Sequence, residues 1–226
     1  MKEIICMIGP SGSGKSTAAR ILEKEYGYFY FAPFQHVLKI KDEIKLKYNY
    51  EYSINDLLVA ITQHYEKGYN EFISTLLSKM DKDKIVFDSC VNKNHLSLVM
   101  KEFDRVIFLS ITSSFINRLN RVSKRDINKN YSIDTIKNNL NRTDQHERKL
   151  GLGDLMLFSD WTIYSDASCN MSNEILDFVK NCNPTKKEDK EFQLTSDFQD
   201  LKEIVVNNKI FDNFIDTYIE SLEHGY

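Results

Sequence analysis

Gly9-Pro10-Ser11-Gly12-Ser13-Gly14-Lys15-Ser16-Thr17 is the stretch that decides the fold. It matches G-x-x-x-x-G-K-[ST], and three of the chain's eight glycines fall inside it. Before it, Lys2 to Ile8 (KEIICMI) is a β-branched apolar run; after it, Thr17 to Glu25 (TAARILEKE) predicts a helix that Gly27 closes. Strand, glycine loop and helix are the context the motif requires. Glycine lets the backbone turn so that successive N–H groups face one cavity, and the helix N-terminus adds positive potential there. The pattern predicts a nucleoside-triphosphate site built from Gly9, Ser11, Gly12, Ser13, Gly14, Lys15, Ser16 and Thr17. The Lys15 ammonium bridges the outer phosphates, and the Ser16 hydroxyl is placed to ligate Mg²⁺.

Outward from that motif, strand and helix signals alternate. Tyr28 to Ala32 (YFYFA) reads as a buried strand, and Pro33 opens a helix in which Phe34, Val37, Leu38, Ile40 and Ile44 recur near helical spacing. Ser53 caps the next helix, with Asp56 in its first turn, and another helix spans about Asn70 to Met80. Lys84 to Asp88 (KIVFD), Arg105 to Leu109 (RVIFL) and Trp161 to Tyr164 (WTIY) read as strands. Helices are expected over His95 to Phe103, Thr112 to Arg125 and Ser132 to Arg148, and from a Ser172 cap to about Asn181. Alternation of this kind implies an α/β fold with a parallel sheet covered on both faces. The expected division is a domain over 1–182 and, over 183–226, a charged linker with a C-terminal helical extension. Phe211, Phe214, Ile215, Tyr218, Ile219 and Leu222 form one apolar stripe on that last helix, read as core or dimer packing.

Two further features carry chemistry. Asp88 ends a strand of a parallel sheet, which delivers its carboxylate to the ligand-binding edge. There it can hold metal-bound water, or accept the proton of an attacking hydroxyl. Five of the seven arginines lie between 118 and 148, and Arg118, Arg121 and Arg125, spaced i, i+3, i+7, share one helix face. Phosphoryl transfer depends on clamping charge as it moves between oxygens, which planar, permanently charged guanidinium groups do well. The candidate catalytic set is therefore Lys15, Asp88, Arg118, Arg121 and Arg125, with Ser16 and Asp88 on Mg²⁺ directly or through water. The stretch Tyr26 to Phe34 reads mainly as core, with Phe34 or Tyr30 positioned to stack on an acceptor base. Arg20 and Arg105 read as surface residues.

Composition sets bounds. The 226 residues carry 30 Lys+Arg and 33 Asp+Glu, a net charge of −3, with 42% hydrophobic residues. That is the make-up of a globular chain, and it argues against a polycationic coat for nucleic acid. The average conceals an asymmetry: Phe115 to Leu150 carries a net +5, and Lys186 to Tyr226 a net −5. Cys6, Cys90, Cys169 and Cys182 lack metal or disulfide spacing, which reads as free thiols in a reducing cytosol. The N-terminal apolar run is too short for a signal peptide, and no stretch is long enough for a membrane span. The expectation is a cytoplasmic protein, monomeric or homodimeric.

The motif set resembles the P-loop nucleotide kinases, above all the nucleoside and deoxynucleoside monophosphate kinases and the dephospho-CoA kinases. The resemblance covers about Lys2 to Lys180. Phe31 to Lys39 (FAPFQHVLK) resembles a deoxynucleotide-kinase segment that sets a basic residue against the acceptor phosphate. Arg118, Arg121 and Arg125 resemble the start of a mobile lid. Asp144, Glu147, Gly151 and Gly153 match an Arg-Asp…Glu…Gly-x-Gly stretch. The resemblance implies a P-loop three-layer αβα fold with five parallel strands in the order 2-3-1-4-5, an acceptor region over about 33–80 and a lid over about 115–150. It implies transfer of the γ-phosphoryl of ATP to a small phosphorylated or hydroxylated acceptor held by Phe34, Lys39 and Arg142. Two positions differ from the family pattern: Ser89, Cys90 and Val91 follow Asp88 where Gly-x-Arg is usual, and Lys39 stands where an arginine is usual. A polynucleotide-end kinase and a non-catalytic ATP-binding module are the alternatives; the acidic tail argues against nucleic acid as a partner. A GTPase is a poor fit, because Asn92-Lys93-Asn94 is followed by His95 rather than Asp.

Overall fold

Five short apolar runs make the sheet. The structure, a computed structural model, describes residues 1–88, 90, 99–126, 131–184 and 209–224. Strand β1 (Glu3–Ile8) lies at the centre, flanked by β3 (Lys84–Phe87) and β4 (Arg105–Thr112), with β2 (Phe29–Phe31) and β5 (Trp161–Tyr164) outermost. The order is β2-β3-β1-β4-β5 and every pairing is parallel, as the resemblance implies. Ile5, Met7, Ile107, Leu109 and Ile111 pack with Ala18, Ala19 and Leu22 of α1 (Lys15–Tyr26) and with Ile175 and Phe178. The alternate side chains Ile4, Cys6, Ile8 and Phe108 are equally buried, so both faces are covered. A parallel sheet needs that cover, and its strands consequently read as unbroken apolar runs rather than alternating ones.

Between β2 and β3 run α2 (Pro33–Tyr48), α3 (Ile54–His64) and α4 (Tyr69–Lys79). Pro33 occupies the first turn of α2, where a missing N–H costs nothing, and the Ser53 hydroxyl accepts from Asp56 N–H at the start of α3. After β4 come α5 (Phe115–Arg125), α6 (Ile133–Lys149) and α7 (Leu152–Leu157). Leu119 and Val122 of α5 pack on Ile136 and Leu140 of α6. The last two helices are α8 (Met171–Asn181) and α9 (Lys209–His224).

Two expected boundaries shift. Strand β4 continues to Thr112 because Ser110, Ile111 and Thr112 pair with β5, so the helix placed from Thr112 starts at Phe115, behind a Ser114 cap. The cap of α8 is Asn170, whose side chain accepts from Asn173 N–H, rather than Ser172. The helix expected over His95 to Phe103 lies partly outside the described residues, within which 99–102 are helical. Of the connector expected over Asn183 to Ser196, residues from 185 onward lie outside them, as do Ser89 and Val91.

The chain forms two units. One gathers the described residues of Met1–Phe31 and Asp83–Gln193, which include the whole sheet; the other gathers those of Ala32–Lys82 and Leu194–Tyr226. Within the second unit, the stripe on α9 finds its partners among α2, α3 and α4. All six stripe residues are buried there. His36 Nδ1 lies 3.0 Å from the Tyr218 hydroxyl, and His64 Nδ1 lies 2.8 Å from Asp212 Oδ1.

Candidate nucleotide site

The loop between β1 and α1 lines a cleft of about 330 Å³, together with Arg121, Val122, Arg125 and Glu147. Gly9, Gly12 and Gly14 all have positive φ, at 140°, 78° and 109°. At Gly9 the requirement is absolute, since a Cβ would stand 2.0 Å from the Ile111 carbonyl oxygen. The turn they make brings the Lys15 ammonium back over the loop, where it donates to the carbonyls of Gly9 at 2.7 Å and Pro10 at 3.0 Å. Burial lowers the Lys15 pKa, and the carboxylates of Glu147, Asp88 and Asp144 oppose that shift. Two neutral carbonyls are weak partners for a buried cation. Phosphate oxygens would be stronger partners.

Beside the lysine, Ser16 Oγ donates to Asp88 Oδ2 at 2.7 Å, and the Tyr30 hydroxyl donates to the same oxygen at 2.7 Å. Asp88 reaches this point because β3 ends at Phe87 and Asp88 N–H donates to the Phe31 carbonyl at 2.8 Å. Hydroxyl and carboxylate oxygens are the donors a hard divalent cation takes. So few protein ligands suit Mg²⁺, which keeps several waters and completes its shell with substrate phosphates. Among the described residues, no group of three or more His, Cys, Asp or Glu forms a metal cluster. Tyr30 and Arg20 are the residues that sequence reading undervalued here. The Arg20 guanidinium lies 4.0 Å over the Tyr30 ring, and burial followed by the Asp88 charge pushes the Tyr30 hydroxyl pKa up. Alternation in YFYFA marks Tyr30 as a strand residue but cannot show that its hydroxyl meets a carboxylate 58 positions away.

The three arginines of α5 do different things. Arg118 is buried and bidentate on Asp144, at 2.8 and 2.7 Å, and donates to the Ser11 carbonyl at 3.0 Å. Its charge is thus matched inside the protein, and it ties α5 and α6 to the phosphate loop. Arg121 donates to the carbonyls of Ser13 at 3.1 Å and Gly12 at 3.4 Å, and also to that of Ser165, while still lining the cleft. Arg125 is exposed, is paired with Asp126 at 3.1 Å, and lines the same cleft. Glu147 was placed in the sequence only as part of the Arg-Asp…Glu stretch, yet its Oε2 accepts from Ser11 N–H at 3.2 Å. Burial raises its pKa; Lys15, the Ser11 N–H and Arg118 draw it down, and Asp144 adds to the rise.

The expected acceptor residues fall in two different units. Phe34 is half exposed on α2, in the second unit. Lys39, on the same helix, lies 3.9 Å from Glu43 and 5.7 Å over the Tyr218 ring. Arg142 belongs to the first unit, exposed on α6.

With this geometry in place, the family model described as AAA domain matches residues 5–144. Compared with curated proteins, the chain matches none. Among solved structures, TT1252 from Thermus thermophilus is 15% identical, with a TM-score of 0.53 over 79% of this chain and 96% of its own. A protein from Eubacterium ventriosum is 13% identical, with a TM-score of 0.50 over 79% and 97%. A shikimate kinase from Acinetobacter baumannii is 16% identical, with a TM-score of 0.47 over 80% and 94%.

Proposed function

The chain belongs to the AAA domain family, and on that premise we propose that it is an ATP-dependent kinase. It transfers the γ-phosphoryl of Mg-ATP to a small nucleotide or nucleotide-like acceptor. Family and fold agree with the resemblance to P-loop kinases that the sequence carries. The observation that supports the reading best is a cleft lined by Lys15, Arg121, Arg125 and Ser16, with the Ser16 hydroxyl bonded to Asp88 at 2.7 Å.

Each residue has a role in this reading. The N–H groups of the loop and Lys15 hold the β- and γ-phosphates. Ser16 and Asp88 would hold Mg²⁺, which when bound supplies charge neutralisation between those phosphates. Arg121 and Arg125 border the cleft, where transferring charge is clamped. Arg118 acts one step back, fixing the loop through Ser11. No described helix is long and apolar enough to cross a membrane, and the protein is proposed to act in the cytoplasm as a monomer or homodimer.

Calorimetry with Mg-ATP, followed by ADP release across nucleoside monophosphates, deoxynucleotides, nucleosides and dephospho-CoA, tests the proposal. Lys15→Ala should abolish ATP turnover and leave the circular dichroism spectrum unchanged. Turnover undiminished in that variant would remove the site. Tight ATP binding with a flat response across the panel would make the chain a non-catalytic ATP-binding module.

A further inference from the structure

Glu147 stands between two cavities. Beyond the phosphate cleft lies a second space of about 230 Å³, walled by Pro10, Thr112, Ser113, Arg148 and Met156, with the Arg118–Asp144 pair on its lining. Among the described residues, Glu147 is the only one that lines both. We propose that the second cavity seats a hydroxyl-bearing end of the acceptor, and that Glu147 is the base that takes the proton of that hydroxyl. The proposal rests on the phosphotransferase reading above and names the acceptor chemistry of the same site.

Charge is the first argument. The cavity's two cations, Arg118 and Arg148, face two carboxylates, Asp144 and Glu147, and Arg118 is already bidentate on Asp144 at 2.8 and 2.7 Å. A phosphate gains little in such surroundings, whereas a neutral alcohol meets the hydroxyls of Thr112 and Ser113 and the apolar walls of Pro10 and Met156. Size agrees: at 230 Å³ the space falls below the roughly 300 Å³ at which drug-sized sites begin, enough for one end of a molecule.

Position is the second. Glu147 Oε2 accepts from Ser11 N–H at 3.2 Å, so the carboxylate is fixed at the rim of the phosphate loop. Its Oε1 has no hydrogen bond among the described residues and is open to a hydroxyl. The other candidate base, Asp88, already accepts two hydrogen bonds on one oxygen, from Ser16 and Tyr30. Burial also lifts the Glu147 pKa, which brings a carboxylate nearer the range of an effective base. In the step itself, the acceptor O–H bond breaks and its proton passes to Glu147 Oε1. The acceptor oxygen bonds to the γ-phosphorus while the bond from that phosphorus to the β-bridging oxygen breaks. The electron pair leaves with ADP, and the proton is later released to water.

Glu147→Gln tests this cleanly, because the amide oxygen still accepts from Ser11 and only basicity is lost. The probes are adenosine, ribose, glycerol and water alone, each with Mg-ATP. The wild-type protein should release ADP with at least one probe. Glu147→Gln should lower that kcat by about 10²- to 10⁴-fold, the usual share of a general base, with the Mg-ATP Kd held within about threefold. Glu147→Asp should recover part of the rate. Met156→Trp, which fills the second cavity, should raise the KM of the hydroxyl probe and not that of ATP. Undiminished kcat in Glu147→Gln overturns the base, as does no ADP release with any probe while ATP still binds; an unmoved KM in Met156→Trp overturns the cavity. Failure of the wild-type protein to bind ATP would instead remove the kinase reading.

Discussion

Replacing Asp144 with alanine should cost more stability than any surface change, because it strands a buried guanidinium. The side chains of Arg118 and Asp144 are 7% and 11% exposed, and their two hydrogen bonds measure 2.8 and 2.7 Å. Without the carboxylate, Arg118 keeps only the Ser11 carbonyl at 3.0 Å, and its Nε is already buried without a hydrogen-bond partner. Removing one partner of a buried pair costs about 3–5 kcal/mol, whereas replacing both with apolar groups of similar volume is often neutral. With a urea slope near 2 kcal/mol/M, Asp144→Ala should lower the unfolding midpoint by about 1.5–2.5 M. Arg118→Met combined with Asp144→Leu should recover to within about 1 kcal/mol of the wild-type protein. Urea titration by circular dichroism gives both numbers. A single-variant loss under about 1 kcal/mol, or a double variant no more stable than Asp144→Ala, refutes the reasoning. ADP release separates brace from clamp, since a folded double variant that keeps turnover shows that Arg118 does not touch the phosphates.

Three further outcomes are expected. Asp88→Asn should bind ATP but lose the gain in affinity that Mg²⁺ confers, together with most turnover; calorimetry with and without Mg²⁺ would contradict the metal role if that gain persisted. Gly9→Ala should cost more than about 3 kcal/mol or prevent folding, because its Cβ would stand 2.0 Å from the Ile111 oxygen. Gly153→Ala, where a Cβ meets nothing within 4 Å, is the control, and equal midpoints for the two variants would show the clash to be relieved. The unit containing α9 should weaken on acidification, because burial, aided by Lys39, pulls the His36 pKa down to about 4. Neutral His36 favours the fold, so its contribution is full above the unfolded pKa of about 6.5. It is lost as pH falls towards 4, by up to roughly 3 kcal/mol. His36→Gln should flatten urea midpoints over that window, and an unchanged slope would contradict the assignment.

The sheet was legible because burial on both faces leaves a parallel strand nothing to display but apolar residues. Its strand order was not legible in those residues, and came only through the resemblance carried by residues 9–17. Local capping was legible at Ser53, where donor and acceptor lie three residues apart. The end of β4 was not, since Ser110 and Thr112 read as polar residues until β5 pairs with them. The stripe of α9 announced that it would be buried, but could not name α2, α3 and α4 as its partners.

The arginine cluster marks where sequence reading stops in the site. Spacing of i, i+3, i+7 places three guanidinium groups on one helix face, and a phosphate clamp and an internal ion pair demand the same spacing. What decides between them is a carboxylate on the neighbouring helix, and Asp144, 26 residues from Arg118, takes that arginine out of the cleft. Glu147, one turn further along α6, is carried by the same packing to Ser11, across 136 residues of sequence. The net +5 of the segment therefore overstates the field a nucleotide would meet. Two of its four acidic residues are turned inward against the loop, one of them neutralising the arginine closest to Ser11. Among the described residues, the cleft that remains is lined by the cations Lys15, Arg121 and Arg125 and by one carboxylate, that of Glu147. That polarity is what an enzyme needs if it is to hold a triphosphate on one side and deprotonate an alcohol on the other.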